Sequence, residues 1–192
     1  GNFQEGIDLL ENYLPMAEDK AEVFYSLGNL FRAKGDNTKA SFYFKEAVKN
    51  RINHEDALFQ LAMITEEEGS FDEILDFYQE FIDQDPYSAG AWYNLGVVYN
   101  RLGRFEEAIK AYEYALIIDD AFASAYFNMG NSLMNTQDFE GALEAYQNTI
   151  NCEGANAENC CYMGAAYEKL GKVDEAFNYF KKSAKLDEEY DD

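Results

Sequence analysis

The sequence repeats itself at a fixed interval of 34 residues. The segment 91–120, AWYNLGVVYNRLGRFEEAIKAYEYALIIDD, shows the period most clearly. At this spacing Gly96 is matched by Gly28, Gly130 and Gly164, and Ala108 is matched by Ala40, Ala142 and Ala176. A fixed period of this length is typical of stacked supersecondary units, each of which contacts only its neighbours along the chain.

Each period contains two amphipathic helical patterns. In residues 89–122 the first pattern runs to Leu102, Gly103 interrupts it, and the second pattern starts near Phe105. Glycine suits the left-handed turn that ends a helix. Small residues such as Gly96 and Ala108 fall where the two helices of one unit are predicted to cross, so that the backbones can approach closely.

These residues resemble the tetratricopeptide repeat (TPR) family. The motif W-x2-L-G-x2-Y…A-x3-F is met by Trp92, Leu95, Gly96, Tyr99, Ala108 and Tyr112. The resemblance covers almost the whole chain and implies an all-α fold, an α-solenoid of five full TPR helix pairs plus an N-terminal half-repeat in a right-handed superhelix. We expect a single array over residues 1–192, with a half-repeat at 1–20, full repeats at 21–54, 55–88, 89–122, 123–156 and 157–190, and an acidic tail at 191–192.

One stripe of the first helix in each repeat is a candidate binding surface. Residues two, five, nine and twelve of the 34-residue frame follow one helical face. An amide side chain carries both a donor and an acceptor, and aromatic rings give contact area at low entropic cost, so such a stripe can hold an extended peptide. The predicted peptide-binding groove comprises Tyr25, Asn29, Phe59, Tyr93, Asn94, Phe127, Asn128 and Asn131.

The resemblance adds to this prediction. In TPR proteins that bind extended peptides, asparagines in places similar to Asn94 and Asn128 bond the peptide backbone. The alternative is that these asparagines bond neighbouring backbone and that the aromatic residues pack adjacent repeats.

The chain is strongly acidic, with 37 acidic and 15 basic residues and a net charge of −22. Eleven of the acidic residues lie in repeat two, which has no Lys or Arg. The sequence predicts an acidic patch for a partner with a basic segment, formed by Asp56, Glu66, Glu67, Glu68, Asp72, Glu73 and Asp76. The alternative is that the charge serves solubility. Nucleic acid is excluded as a partner because phosphate binding needs a basic surface, and insertion into a membrane is not expected.

The sequence offers no basis for catalysis, a cofactor or a metal site. His54 is its single histidine, and no phosphate-binding loop or HExxH motif is present. Of its three cysteines, Cys160 occupies the repeat position of Trp92 and Tyr126, which predicts packing in the core. The alternative is a redox pair formed by Cys152 and Cys161. This cysteine usage favours a soluble cytoplasmic protein over an exported one.

The most direct functional interpretation is a scaffold for protein–protein interaction that binds an extended peptide or a partner helix. Two alternatives stay open, a module that self-associates through the ends of the array and a regulatory TPR region of a larger protein. The self-association hypothesis rests on two apolar stripes without a partner helix. They are Phe3, Ile7, Leu10 and Leu14 near the N-terminus, and Phe177, Tyr179, Phe180 and Leu186 near the C-terminus.

Overall fold

A computed structural model describes residues 3–52, 54–68 and 71–188, apart from the side chains of Glu55, Ala62, Glu66 and Glu188. These residues form eleven α-helices and a short 3-10 helix, Leu14–Met16, without any strand among them. The α-helices are α1 (Phe3–Tyr13), α2 (Lys20–Ala33), α3 (Asn37–Asn50), α4 (Glu55–Glu68), α5 (Phe71–Gln84), α6 (Ala89–Arg101), α7 (Phe105–Ile118), α8 (Ala123–Asn135), α9 (Phe139–Glu153), α10 (Ala157–Lys169) and α11 (Val173–Glu188). The predicted all-α fold is confirmed.

The chain packs as two compact units, residues 1–80 and residues 81–192, and α5 runs across their boundary. In the first unit α1 contacts α2, α2 contacts α3, and α3 contacts α4. In the second unit each helix from α6 to α11 contacts the next one along the chain. Each unit therefore shows the sequential helix-on-helix packing of a repeat protein.

The helices of a pair cross where the predicted glycines lie. A β-carbon added to Gly96 would lie 2.5 Å from a ring carbon of Tyr112, and one added to Gly130 would lie 2.5 Å from a ring carbon of Tyr146. Both tyrosine side chains are fully buried. The glycines thus leave room for one large ring per crossing, as predicted from the repeat.

The turn between the two helices has a left-handed residue in every repeat whose turn is described, whereas the predicted turn glycine of repeat two, Gly69, lies outside the described residues. Gly103 has a φ of +69°, and Gly35 and Gly171 have φ values of +83° and +71°. In repeat four this conformation falls on Gln137, at φ 65°. Only glycine adopts it without steric cost, so Gln137 is the strained member of the series.

The last residue of a repeat often caps the first helix of the repeat that follows. Ser88 Oγ accepts a hydrogen bond from the Ala91 N–H at 3.3 Å, and Asn156 and Asn159 form a reciprocal capping box. His54 plays the same part at α4, because its Nδ1 accepts from the Ala57 N–H at 3.3 Å. The histidine is 4% exposed, so its position is that of a buried structural cap.

The apolar residues that the sequence predicts to be exposed at the two ends of the chain are only partly exposed in the structure. Near the N-terminus Ile7 is buried, and Leu10 and Leu14 are half-buried. Only Phe3, at 37% exposure, fits the prediction. Helix α2 covers most of this stripe, since α1 packs against it.

Near the C-terminus Phe177 is exposed and Phe180 is 37% exposed, whereas Tyr179 and Leu186 are half-buried. The expectation is therefore wrong for much of the N-terminal stripe and holds for only part of the C-terminal one.

The cysteines occupy different environments. Cys160 is buried, as predicted, and burial raises the pKa of its thiol. Cys152 and Cys161 are exposed, and all three thiols are free. Across the described residues, no helix combines the length and the apolar composition that crossing a membrane requires.

Candidate functional site

In the first unit the predicted groove residues lie on α2 and α4. Tyr25 is half-buried and packs its ring against Phe44, with centroids 5.8 Å apart, and against His54, at 4.9 Å. Asn29 is half-buried on the same helix. Phe59, on α4, is 51% exposed and is the most accessible of the predicted aromatic residues.

In the second unit two predicted aromatic residues rest on the buried tyrosines of the helix crossings. The Tyr93 ring lies 5.9 Å from that of Tyr112 and 4.7 Å from that of Phe122. The Phe127 ring lies 5.8 Å from that of Tyr146. Both Tyr93 and Phe127 are half-buried, so each ring is held on one side and accessible on another.

Tyr162 packs with the predicted aromatic residues, although the sequence did not place it among them. Its ring meets Phe127 edge-on at 5.0 Å and lies 5.7 Å from Tyr146, while 38% of the residue stays exposed. It occupies position six of the repeat frame, next to Cys161, where the aromatic column was expected to continue. In the sequence, position five of the repeat is aromatic in the first four repeats and is Cys161 in the fifth, and the tyrosine directly after it could have indicated this role.

Asn128 links two repeats. Its Nδ2 donates a hydrogen bond to Tyr93 Oη at 2.9 Å, from α8 to α6. Ser132 Oγ, one turn later, accepts from Asn100 Nδ2 at 3.0 Å and donates to the Asn128 carbonyl oxygen at 3.0 Å. Asn128 therefore serves, at least in part, the packing of adjacent repeats that was the alternative interpretation.

Asn94 is not on an accessible surface. Its side chain is 1% exposed, although it occupies the same frame position as Asn128, which is half-buried. The helical spacing places both residues on one stripe, but the neighbouring side chains cover Asn94 entirely. The prediction that the Asn94 amide faces an open groove is wrong for this structure.

Asn131 is oriented by a buried tyrosine. Its Oδ1 accepts a hydrogen bond from Tyr146 Oη at 2.8 Å. Burial, with a smaller effect from the nearby Tyr162 hydroxyl, raises the pKa of Tyr146 well above its ordinary value. The phenol therefore stays a donor over the physiological range and fixes which end of the Asn131 amide it contacts.

These residues define one surface within the second unit. We call it the first-helix face, formed by Tyr93 on α6, Phe127 and Asn131 on α8, and Tyr162 on α10. It joins partly exposed rings to a positioned amide. Over the described residues, no group of three or more His, Cys, Asp or Glu side chains is arranged to hold a metal ion.

The predicted acidic patch is partly neutralised by repeat one. Arg32 Nη2 lies 3.1 Å from Glu67 Oε1, and Arg32 Nη1 donates a hydrogen bond to Gln60. Lys45 Nζ lies 3.8 Å from Glu73 Oε2.

The remaining carboxylates of the patch, Asp56, Glu68, Asp72 and Asp76, are exposed, and the Glu66 side chain lies outside the described residues. Some of the acidic charge in repeat two thus serves contacts inside the protein.

Comparisons with known proteins agree with the helix-pair architecture. Sequence models of the tetratricopeptide repeat match residues 25–89, 89–122, 123–149 and 157–190. No curated protein matches the chain.

Several solved structures resemble it. A crystal structure of MamA is 29% identical, covers 85% of this chain and 96% of its own, and has a TM-score of 0.67. MamA 41-end from Desulfovibrio magneticus RS-1 is 20% identical, covers 91% and 98%, and also has a TM-score of 0.67. BtubC from P. vanneervenii is 17% identical, covers 100% and 93%, and has a TM-score of 0.74, which is a likeness of fold alone.

Proposed function

Because the chain belongs to the tetratricopeptide repeat family, a family of protein–protein interaction scaffolds, we propose that its first-helix face binds an extended segment of a partner protein. The observation that carries this proposal is the run of partly exposed rings, Tyr93, Phe127 and Tyr162, in adjacent repeats. Members of the family are typically not enzymes, and we propose that this chain has no catalytic activity of its own.

The rings are suited to binding because they are already ordered. Tyr112 supports Tyr93, and Tyr146 supports both Phe127 and Tyr162. A side chain fixed before binding loses little conformational entropy when a ligand covers it. A partner therefore gains apolar contact without the cost of ordering these residues.

Asn131 supplies the polar contact that an extended peptide needs. Its Oδ1 accepts from Tyr146, and its Nδ2 carries the two N–H donors that a peptide carbonyl oxygen can accept from. A hydrogen bond to a backbone carbonyl oxygen needs a carbonyl that is free to accept it, as in an extended segment, and selects no particular side chain. The sequence preference of the site then comes from the rings.

The charge around the face favours a basic partner. Residues 89–156 contain nine acidic and three basic residues. A segment that carries Lys or Arg is attracted to this surface, and exposed charges of this kind are screened over about 8 Å at physiological ionic strength. We therefore expect binding to weaken when salt is added.

The test uses peptides selected from a random display library against the wild-type protein. Their affinities are measured by fluorescence anisotropy for wild type, Tyr162→Ala and Phe127→Ala. Loss of an aromatic anchor at the centre of an interface costs more than ~1 kcal/mol, which is roughly fivefold in Kd. We expect at least that loss for both variants, with helicity retained in the circular dichroism spectrum.

Tyr114→Ala is the matched control, because Tyr114 is 52% exposed and its ring stacks on Trp92, which is not one of the residues of the first-helix face. It should leave the affinity unchanged. Selected peptides that bind Tyr162→Ala and Phe127→Ala as tightly as wild type would refute the proposed site.

A second function, self-association through the first and last helices, is favoured by one specific observation. Large apolar side chains stay exposed on both, including Leu9 and Met16 near the N-terminus and Val173 and Phe177 on α11. A contact between copies would remove this surface from water.

A further inference from the structure

One ring of the first-helix face, that of Tyr162, has a carboxylate one helical turn before it on the same helix. Glu158 is exposed on α10 and precedes Tyr162 by four residues, so the two side chains lie on the same side of the helix. Glu158 occupies position two of the repeat frame, where the two preceding repeats have Gly90 and Ser124. Among the three repeats that form the face, only the last one has a charge at this position.

The Tyr162 ring is held by its neighbours and is still accessible. It meets Phe127 edge-on, with centroids 5.0 Å apart, and lies 5.7 Å from the ring of Tyr146, which is fully buried. The residue is nevertheless 38% exposed. These contacts restrict the orientation of the ring before a ligand covers it, so that little conformational entropy is lost on binding.

The lysines of α11 lie on another side of α10. Lys181, Lys182 and Lys185 line one depression on α11, and Lys182 comes near the Cys160 thiol. Cys160 precedes Tyr162 by two residues, so these two side chains leave α10 in nearly opposite directions. The positive charge of α11 therefore does not offset Glu158 next to the ring.

Two further charges lie on α10 itself. Glu168 and Lys169 are both exposed, and they follow Tyr162 by six and seven residues, which is about 9–10 Å along the helix axis. Side chains of an α-helix lean towards its N-terminus, so the Tyr162 ring lies on the Glu158 side and away from this pair. Glu158 is thus the charged side chain of α10 that lies beside the ring.

We propose that an arginine of the bound peptide lies on Tyr162, with its guanidinium between the ring and the Glu158 carboxylate. This inference rests on the function proposed above and names one residue of the ligand. A cation is attracted to the face of an aromatic ring and pairs with a carboxylate. Arginine suits both contacts better than lysine, because its guanidinium is planar, stacks on rings and is weakly hydrated.

The other two rings of the face favour apolar residues. Tyr93 and Phe127 have no charged residue within one turn before them on their own helices. An apolar side chain can cover such a ring without removing a charge from water, whereas on Tyr162 it would bury part of Glu158 without a counter-charge. The bound segment should therefore have apolar residues on Tyr93 and Phe127 and its arginine at the α10 end.

The test replaces each arginine of the selected peptides by citrulline, which keeps the shape of the side chain and removes its charge. An exposed ion pair and a cation–π contact together account for roughly three- to thirtyfold in Kd. We expect one arginine whose replacement by citrulline raises the Kd for wild type by about tenfold. Replacement of the same arginine by lysine should also raise the Kd, by a smaller factor, because lysine keeps the charge but not the planar group.

Two variants of the protein assign that arginine to its contacts. In Glu158→Gln and in Tyr162→Leu the effect of citrulline should fall to about threefold or less, because each variant removes one of the two contacts. Glu113→Gln is the matched control, since Glu113 is exposed on α7 and the substitution changes the net charge equally. It should preserve the full effect.

Selected peptides that bind the first-helix face without an arginine, or whose citrulline forms bind as tightly, would overturn the inference and leave the proposed function in place. A citrulline effect that is unchanged in Glu158→Gln would overturn it as well. Sensitivity to Phe127→Ala identifies binding to the face. Peptides that bind Phe127→Ala as tightly as wild type would instead refute the proposed function, and this inference with it.

Discussion

Replacement of Gly130 by alanine should destabilise the protein although it improves helix propensity. The added β-carbon would lie 2.5 Å from a ring carbon of Tyr146, whereas carbon atoms at optimal contact are ~3.5–4.0 Å apart. The ring would have to move by about 1 Å. Tyr146 is fully buried, its hydroxyl is bonded to Asn131, and its ring contacts Phe127, so it has no free direction in which to move.

The size of the effect follows from two opposing contributions. Overpacking a buried site costs roughly 1–3 kcal/mol. Replacing glycine by alanine inside a helix contributes about 1 kcal/mol in the other direction. The difference is a net loss of about 0–2 kcal/mol in the free energy of unfolding, and because the ring cannot yield in Gly130→Ala we expect its upper half, about 1–2 kcal/mol.

Gly164→Ala is the matched control within the same unit. Its β-carbon would meet ring carbons of Phe180 at 2.8 Å, but Phe180 is 37% exposed and its ring can turn outward. The propensity gain then offsets the steric cost, and the net change should be within about 0.5 kcal/mol of zero. Urea denaturation followed by circular dichroism compares the two variants. A Gly130→Ala variant as stable as wild type, or no less stable than Gly164→Ala, would refute this account of the helix crossing.

Two further predictions concern the turn of repeat four and the buried phenols. Gln137→Gly should raise stability by about 0.5–1 kcal/mol, because the left-handed strain it removes exceeds the added entropy of the unfolded chain; urea denaturation that shows no gain would contradict this. Burial raises the pKa of Tyr78, Tyr112 and Tyr146 above the ordinary 10.0. Above pH 10 these phenols therefore ionise in the unfolded chain but stay protonated in the folded protein. The free energy of unfolding is unaffected below pH 10 and falls above it by ~1.4 kcal/mol per pH unit for each tyrosine. Urea denaturation from pH 8 to pH 11 measures the slope of the free energy of unfolding against pH. The slope should be less steep in Tyr78→Phe than in wild type. Equal slopes in the two proteins would show that the burial of Tyr78 has no effect on stability.

The repeat frame could be predicted because it depends on local chemistry. The glycine at the helix crossing, the left-handed residue of the turn and the start of α7 at Phe105 each follow from residues close in sequence. Such features need no knowledge of neighbouring repeats, and the structure has them at the predicted positions.

The site could be predicted only in part because exposure depends on what a neighbouring repeat supplies. Asn94 and Asn128 share a frame position, yet one is buried and the other bonds Tyr93 across the repeat boundary. Tyr162 joins the aromatic cluster because its ring reaches Phe127, which spacing alone does not indicate.

The pairing of the acidic side chains in repeat two likewise depends on a neighbouring repeat. The count of acidic residues in repeat two is a property of the sequence, but their pairing depends on the reach of side chains from repeat one. Glu67 and Glu73 are close to Arg32 and Lys45, and a sum of charges along the chain contains no such information. The acidic patch as a whole stays a prediction, with a smaller uncompensated charge than the sequence suggests.

Nuclear Overhauser effects between a selected peptide and the protein test most directly whether the first-helix face holds an extended peptide. With aromatic side chains labelled, we predict intermolecular effects from the peptide to the rings of Tyr93, Phe127 and Tyr162, and none to Tyr114. Effects confined to Tyr114 and its neighbours, with none to the first-helix face, would show that the peptide binds elsewhere.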